Sequence, residues 1–167
     1  MEVINISETL VAKEKLQDPK NIKKYIEKAK KGKKITLKEH KEGEKYPNGL
    51  ISIEPDGKKI SLSFKATQTS SGTAEGEAVI VKDKNSLERI EGGKIAVLPN
   101  STPKIVPYIV KANGLVGEER SILCHLGIVS REFEIPCFLG IRNATRLIKD
   151  NDFIKFHPEK EIVEVIR

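Results

Sequence analysis

Few residues in this chain are equipped for acid–base, nucleophilic or metal chemistry. There are three His, at 40, 125 and 157, and two Cys, at 124 and 137. His40 lies in Lys38-Glu39-His40-Lys41-Glu42, a charged stretch that reads as solvated. His157 precedes Pro158 and reads as a structural or exposed turn residue. His125 stands apart, because it falls in the first turns of a helix expected over 121–134. Free backbone N–H groups and the positive end of the helix dipole gather at such a place. That setting suits an anion such as a phosphoryl group. An imidazole, with a reference pKa near ~6.5, is available there as a neutral nucleophile at physiological pH. The competing interpretation is a half-buried histidine packed at a helix start, and position alone favours it. Cys124 shares the helix start, which is expected to lower its pKa and makes a thiol nucleophile conceivable. Packing or hydrogen bonding is the preferred role for it.

Other site chemistries lack their motifs. No G-x-x-x-x-G-K-S/T or G-x-G-x-x-G phosphate loop occurs, and no H-E-x-x-H, zinc-ligand spacing or G-x-S-x-G elbow. No metal site is expected. The two Cys are too distant for a C-x-x-C pair and read as reduced thiols of a cytoplasmic protein. No apolar run approaches the ~18 residues of a membrane span. Residues 1–15 show no secretory h-region.

The elements that must position these residues follow from periodicity and turn chemistry. A strand is expected over 2–6 and a helix over 8–16, capped by Ser7. Asp18-Pro19 starts a second helix, with Ile22, Tyr25, Ile26 and Ala29 on one face and lysines on the other. Strands are expected over 34–39, 50–54 and 58–66, the last two joined by Pro55-Asp56-Gly57. The Ser/Thr-rich stretch 67–73 reads as a linker. Beyond it come a strand over 77–82, a short helix over 86–91, a strand over 94–98, a helical segment over 102–112 and a strand over 115–117. The 121–134 helix carries Ile122, Leu126, Val129 and Phe133 at one-face spacing. Strands over 137–139, 152–156 and 161–166 close the sheet. Alternating strands and helices predict an α/β fold with some parallel sheet.

The chain has 167 residues, enough for one domain or one domain with an extension, and too few for the roughly 250 of a (β/α)8 barrel. Its net charge of +6 is uneven. Residues 1–69 hold sixteen Lys, no Arg and ten acids, whereas residues 70–167 balance fourteen basic against fourteen acidic side chains. The division expected is a Lys-rich N-terminal region over 1–69, of unassigned role, and a second domain over 70–167. Abundant Lys and Glu with scarce Gln, Cys and Met resemble a heat-adapted composition.

One long stretch carries a resemblance. It includes Ile95-Ala96-Val97-Leu98, Thr102-Pro103, Ala112-Asn113-Gly114-Leu115-Val116-Gly117-Glu118 and the run from Cys124-His125-Leu126-Gly127 through Arg131-Glu132 to Ile135-Pro136-Cys137-Phe138-Leu139-Gly140. It resembles the mobile phosphohistidine domain of phosphoenolpyruvate-utilising enzymes, with signature A-x-G-I-V-T-E-x-G-G-x-x-S-H-A-A-I-V-A-R-E-x-G-I-P-A-V-V-G. The resemblance implies a swivelling β/β/α domain over 70–167, with a small α+β N-terminal extension. It places His125 on the histidine that is phosphorylated and passes the group on, and Cys124 on the preceding Ser or Thr. Glu118, Arg120 and Arg131 become phosphate neighbours. The family Thr is Gly117 here, and the family Gly-Gly pair is Arg120-Ser121. A stand-alone, divergent phosphoryl carrier is therefore expected, a phosphotransferase component if active. No cofactor is expected in this chain; phosphoenolpyruvate, or ATP with Mg, would be the donor through a partner protein carrying nucleotide-binding or phosphoenolpyruvate-binding domains.

Two alternatives stay open. The first is a catalytically degenerate swivelling domain acting as a binding or regulatory module, motivated by Gly117 and Arg120. The second, less favoured, is nucleic-acid binding through the Lys face of the helix over 20–31; residues 20–45 hold eleven Lys and four Glu but no Arg, and the region offers no aromatic platform besides Tyr25 and Tyr46. A solvated, heat-adapted helix face is the preferred account of that charge.

Overall fold

Alternating burial runs through the strands of the C-terminal part. Ala78 and Ile80 face one cluster of buried side chains while Val79 faces another, and Ile95, Ala96, Val97 and Leu98 alternate in the same way. Successive strand residues point to opposite faces, so both faces of this sheet are covered. The computed structural model describes the backbone of residues 4–5, 35–36, 50–53 and 60–167, and the side chains of 61–167. The helices expected over 8–16 and from Pro19, their lysine face and His40 lie outside the described residues.

Eleven strands are described. β1 (Ile4–Asn5) and β2 (Ile35–Thr36) form a parallel pair. The other nine make one sheet: β3 (Leu50–Ile53), β4 (Ile60–Lys65), β5 (Thr67–Ser70), β6 (Glu75–Ile80), β7 (Lys94–Leu98), β8 (Gly114–Gly117), β9 (Cys137–Leu139), β10 (Phe153–His157) and β11 (Ile162–Ile166). Their spatial order is β3-β4-β11-β10-β6-β7-β8-β9-β5. β6 through β9 are mutually parallel. They are connected by α1 (Lys84–Glu88), by a 3-10 turn at Pro103–Ile105 leading into α2 (Val106–Ile109), and by α3 (His125–Glu132). A fourth short helix, α4 (Ala144–Leu147), follows β9.

One bent strand closes the sheet. Only Ala66 separates β4, which pairs with β11, from β5, which pairs with β9 at the far end of the order. The Ala66 N–H donates to Glu161 O at 3.0 Å and fixes the corner. The inner faces therefore surround a core. Phe138 of β9 and Phe156 of β10 meet edge to face across it, with ring centroids 4.9 Å apart. The stretch 67–73 is thus not simply a linker: its first four residues are β5, and the strands before residue 70 belong to the same sheet as those after it. Thr67 and Thr69 are β-branched, which suits a pleated strand despite the linker-like composition.

The outer face carries the helices. Leu87 of α1, Ile109 of α2, and Leu126 and Val129 of α3 pack on Val79, Ala96, Leu98, Leu115 and Leu139. Burying Leu126 and Val129 contributes on the order of 3–5 kcal/mol. The four-residue face expected for the 121–134 helix is only half realised. Ile122 is 48% exposed and Phe133 49%. Ile122 precedes the helix, which starts at His125, so the i, i+4 geometry does not extend to it, and Phe133 is the C-cap, at the helix end, with its N–H still donating to Val129 O at 3.0 Å. The other elements fall near their expected places, and α1 is closed by an Asp83–Ser86 capping box.

Candidate functional site

His125 is brought to the surface by the carboxyl end of the parallel sheet. β7 ends at Leu98 and leads into the loop 99–102; β8 ends at Gly117 and leads into the loop 118–124. These strands are neighbours, so their following loops meet. Ser101 of the first loop reaches His125 at the end of the second, with Oγ 2.7 Å from Nδ1. The ring is half-buried. Nε2, on the opposite edge, has no partner among the described residues. His125 is in the first turn of α3, as expected, and is its first residue, because the helix starts at His125 and not near Ser121.

Cys124 is the N-cap. Its Sγ accepts from the Gly127 N–H at 3.4 Å, the place a Ser or Thr oxygen usually fills. The expected lowering of its pKa is not what the site provides. Burial, reinforced by the Glu119 carboxylate, pushes the thiol above its ordinary value, against the pull of the Gly127 N–H. Glu119 was not foreseen from the sequence. Its Oε2 is buried without a hydrogen-bond partner among the described residues.

The remaining expected neighbours have separate structural attachments. Arg131 donates from Nη1 to Ile122 O at 2.9 Å, tying the loop before α3 back onto the helix. Glu118 Oε1 accepts from the Thr145 N–H at 2.9 Å and from Thr145 Oγ1 at 2.7 Å, so it holds α4. Arg120 is exposed at the loop surface. Gly127 is required by this loop: a Cβ there would sit 2.6 Å from Ile122 O. Leu123, two residues before His125, is 73% exposed. His157 is not in the turn the sequence suggested but ends β10, just before the 3-10 turn Pro158–Lys160, and is bound to Glu164 through Nε2 at 2.8 Å. Among the described residues no group of His, Cys, Asp and Glu could hold a metal ion, and no helix is long and apolar enough to cross a membrane.

Residues 90–159 match the family described as PEP-utilising enzyme, mobile domain. This part of the chain belongs to that mobile-domain family. The chain is 34% identical over 115 residues to a probable phosphoenolpyruvate synthase of Methanothermobacter thermautotrophicus, covering 69% of this chain and 17% of the relative. It is 33% identical over 126 residues to a probable phosphoenolpyruvate synthase of Archaeoglobus fulgidus, covering 75% and 16%. A rifampicin phosphotransferase of Bacillus cereus is 34% identical over 124 residues, covering 68% and 14%. The chain thus spans about a sixth of the length of the curated relatives it matches.

The structure gives a physical reason for the main departure from the mobile-domain signature. A Cβ on Gly117 would lie 2.6 Å from Leu139 Cδ2 and 2.8 Å from Leu126 Cδ2. The signature has Ala and Val at those two positions. Here the larger leucines occupy the volume that a Thr at 117 would need. The hydroxyl missing from 117 has a counterpart in Ser101, supplied by the adjacent loop. Sequence spacing does not reveal this contact, because the two residues are 24 apart and meet only through the pairing of β7 with β8. The available signal was a Ser in the loop following the strand beside β8.

Proposed function

We propose that this mobile domain is a phosphoryl carrier, with His125 as the residue that holds the group. The observation that carries the reading is the half-buried imidazole at the first position of α3, with Nδ1 held by Ser101 and Nε2 without a hydrogen-bond partner among the described residues. With Nδ1–H donating to Ser101 Oγ, the lone pair lies on Nε2. Nε2 attacks phosphorus in line, forming a P–N bond as the donor's P–O bond breaks. An acceptor oxygen then takes the phosphoryl group and Nε2 recovers its lone pair. The first turn of α3 favours the negative charge, and Arg120 on the same loop can close on phosphate oxygens. Donor and acceptor sites belong to nucleotide-binding and phosphoenolpyruvate-binding partner domains, as the length of the relatives supports.

Radiolabelled phosphoenolpyruvate, and separately ATP with Mg, incubated with the chain and candidate partner domains, should leave an acid-labile phosphate on the wild type and none on His125→Ala. Equal labelling of both proteins, or none with any partner, refutes the carrier reading. The exposed Ile122 and Leu123 support a second reading, a binding module whose partner complex survives His125→Ala unchanged.

A further inference from the structure

A second feature sits at the same end of the sheet and is not used by His125. A cleft of about 700 Å3 opens beyond the carboxyl ends of β6 and β7, against α4. Its floor is apolar, built from Ile80, Val81, Pro99 and Ile148. Lys82, Arg146 and Lys149 contribute to its lining. None of these three makes an ion pair among the described residues. The carboxylate among the lining residues, Asp150, is committed elsewhere. It accepts from the Ile80 N–H at 2.9 Å and pairs with Arg89 at 3.3 Å. Arg89 therefore offsets the acid, and the three cations are left without an ion-pair partner among the described residues. The lining hydroxyl, Thr145 Oγ1, is occupied by Glu118.

Open α/β sheets bind ligands in the crevice outside the carboxyl ends of their parallel strands. The volume lies in the range of small-molecule sites. An apolar floor with unpaired cations around it matches one chemical class. We propose that this cleft binds a small phosphorylated organic anion, its phosphate on Lys82, Arg146 and Lys149 and its organic body on the Ile80–Pro99–Ile148 floor. The site is separate from the imidazole, although Pro99 lines the cleft and Ser101, two residues on, holds His125. It does not depend on whether His125 carries phosphate.

The test titrates the full chain at low salt with AMP, inorganic phosphate and sulfate, following backbone amide shifts by NMR. AMP should give saturable shifts at Lys82, Arg146 and Lys149, and should bind more tightly than either inorganic anion. Arg146→Gln and Lys149→Gln should each weaken AMP by about tenfold, the scale of one charge-assisted hydrogen bond. His125→Ala should leave AMP binding unchanged. Both glutamine variants replace exposed side chains, and circular dichroism confirms that they fold. Absence of saturation by AMP, indifference to both substitutions, or sulfate binding as tightly as AMP overturns the proposal. So does a response confined to an acidic polypeptide such as poly-Glu, which would assign the charge to a protein partner.

Discussion

Replacing Ser101 with Ala removes the hydroxyl 2.7 Å from His125 Nδ1 and leaves that nitrogen to water. One such hydrogen bond is worth about 1 kcal/mol net, which is up to about a fivefold bias between ring tautomers when, as the proposed function requires, the hydroxyl accepts from Nδ1–H instead of donating to a bare Nδ1. The proposed chemistry needs the tautomer with the proton on Nδ1 and the lone pair on Nε2. Nitrogen-15 NMR of the ring, recorded above its titration, reads the tautomer directly and requires no partner protein. The wild type should populate the Nδ1–H form, and Ser101→Ala should lose about fivefold of that preference. Ser101→Thr keeps a hydroxyl and should restore it. Where labelling of His125 is established, its initial rate should fall by a similar factor in Ser101→Ala and recover in Ser101→Thr. A ring whose tautomer is indifferent to Ser101→Ala would refute the reasoning, because the contact would then set no proton position.

Further predictions concern the packing around the ring. Gly117→Thr forces a Cβ to within 2.8 Å of both Leu126 and Leu139, and overpacking of this kind should cost about 2 kcal/mol by urea denaturation. Combining it with Leu126→Ala and Leu139→Val should recover part of the loss, whereas additive losses would contradict the volume argument. Burial raises the Cys137 thiol from an ordinary 9.0 to about 11, so the unfolded chain releases this proton first as pH rises. Its contribution to stability is full below pH 9 and is lost between pH 9 and about 11. The loss is on the order of 2–3 kcal/mol relative to Cys137→Ala; parallel stability curves for the two proteins would contradict it. With its pKa raised, Cys124 should react with iodoacetamide at pH 7 more slowly than cysteine in an unstructured peptide, and rapid modification would overturn the account of its surroundings.

Much of this architecture could be read in the residues. The strands 94–98, 115–117 and 137–139 are short apolar runs bounded by turn residues, and Pro103 marks a helix start by local chemistry. What was missed depends on contacts distant in sequence. β5 has a linker's composition and becomes a strand because β9 pairs with it. α4 has four residues, too few for any periodicity. The helix expected over 121–134 starts later, at His125, because Cys124 does the capping. The imidazole itself was recognisable from its motif. Its hydroxyl partner was not, since Ser101 reaches it only after β7 and β8 have paired. Glu119 carries no pattern at all, and its charge acts on Cys124 only because the folded loop brings the two side chains together.

The central claim is a phosphoryl group on one imidazole. Mass spectrometry under neutral conditions, on protein isolated from its own cells without acid, tests it most directly. The account predicts a phosphate on the peptide containing His125, on Nε2 and lost on brief acid treatment. That peptide recovered without phosphate under conditions that preserve phosphohistidine in a control carrier would contradict it.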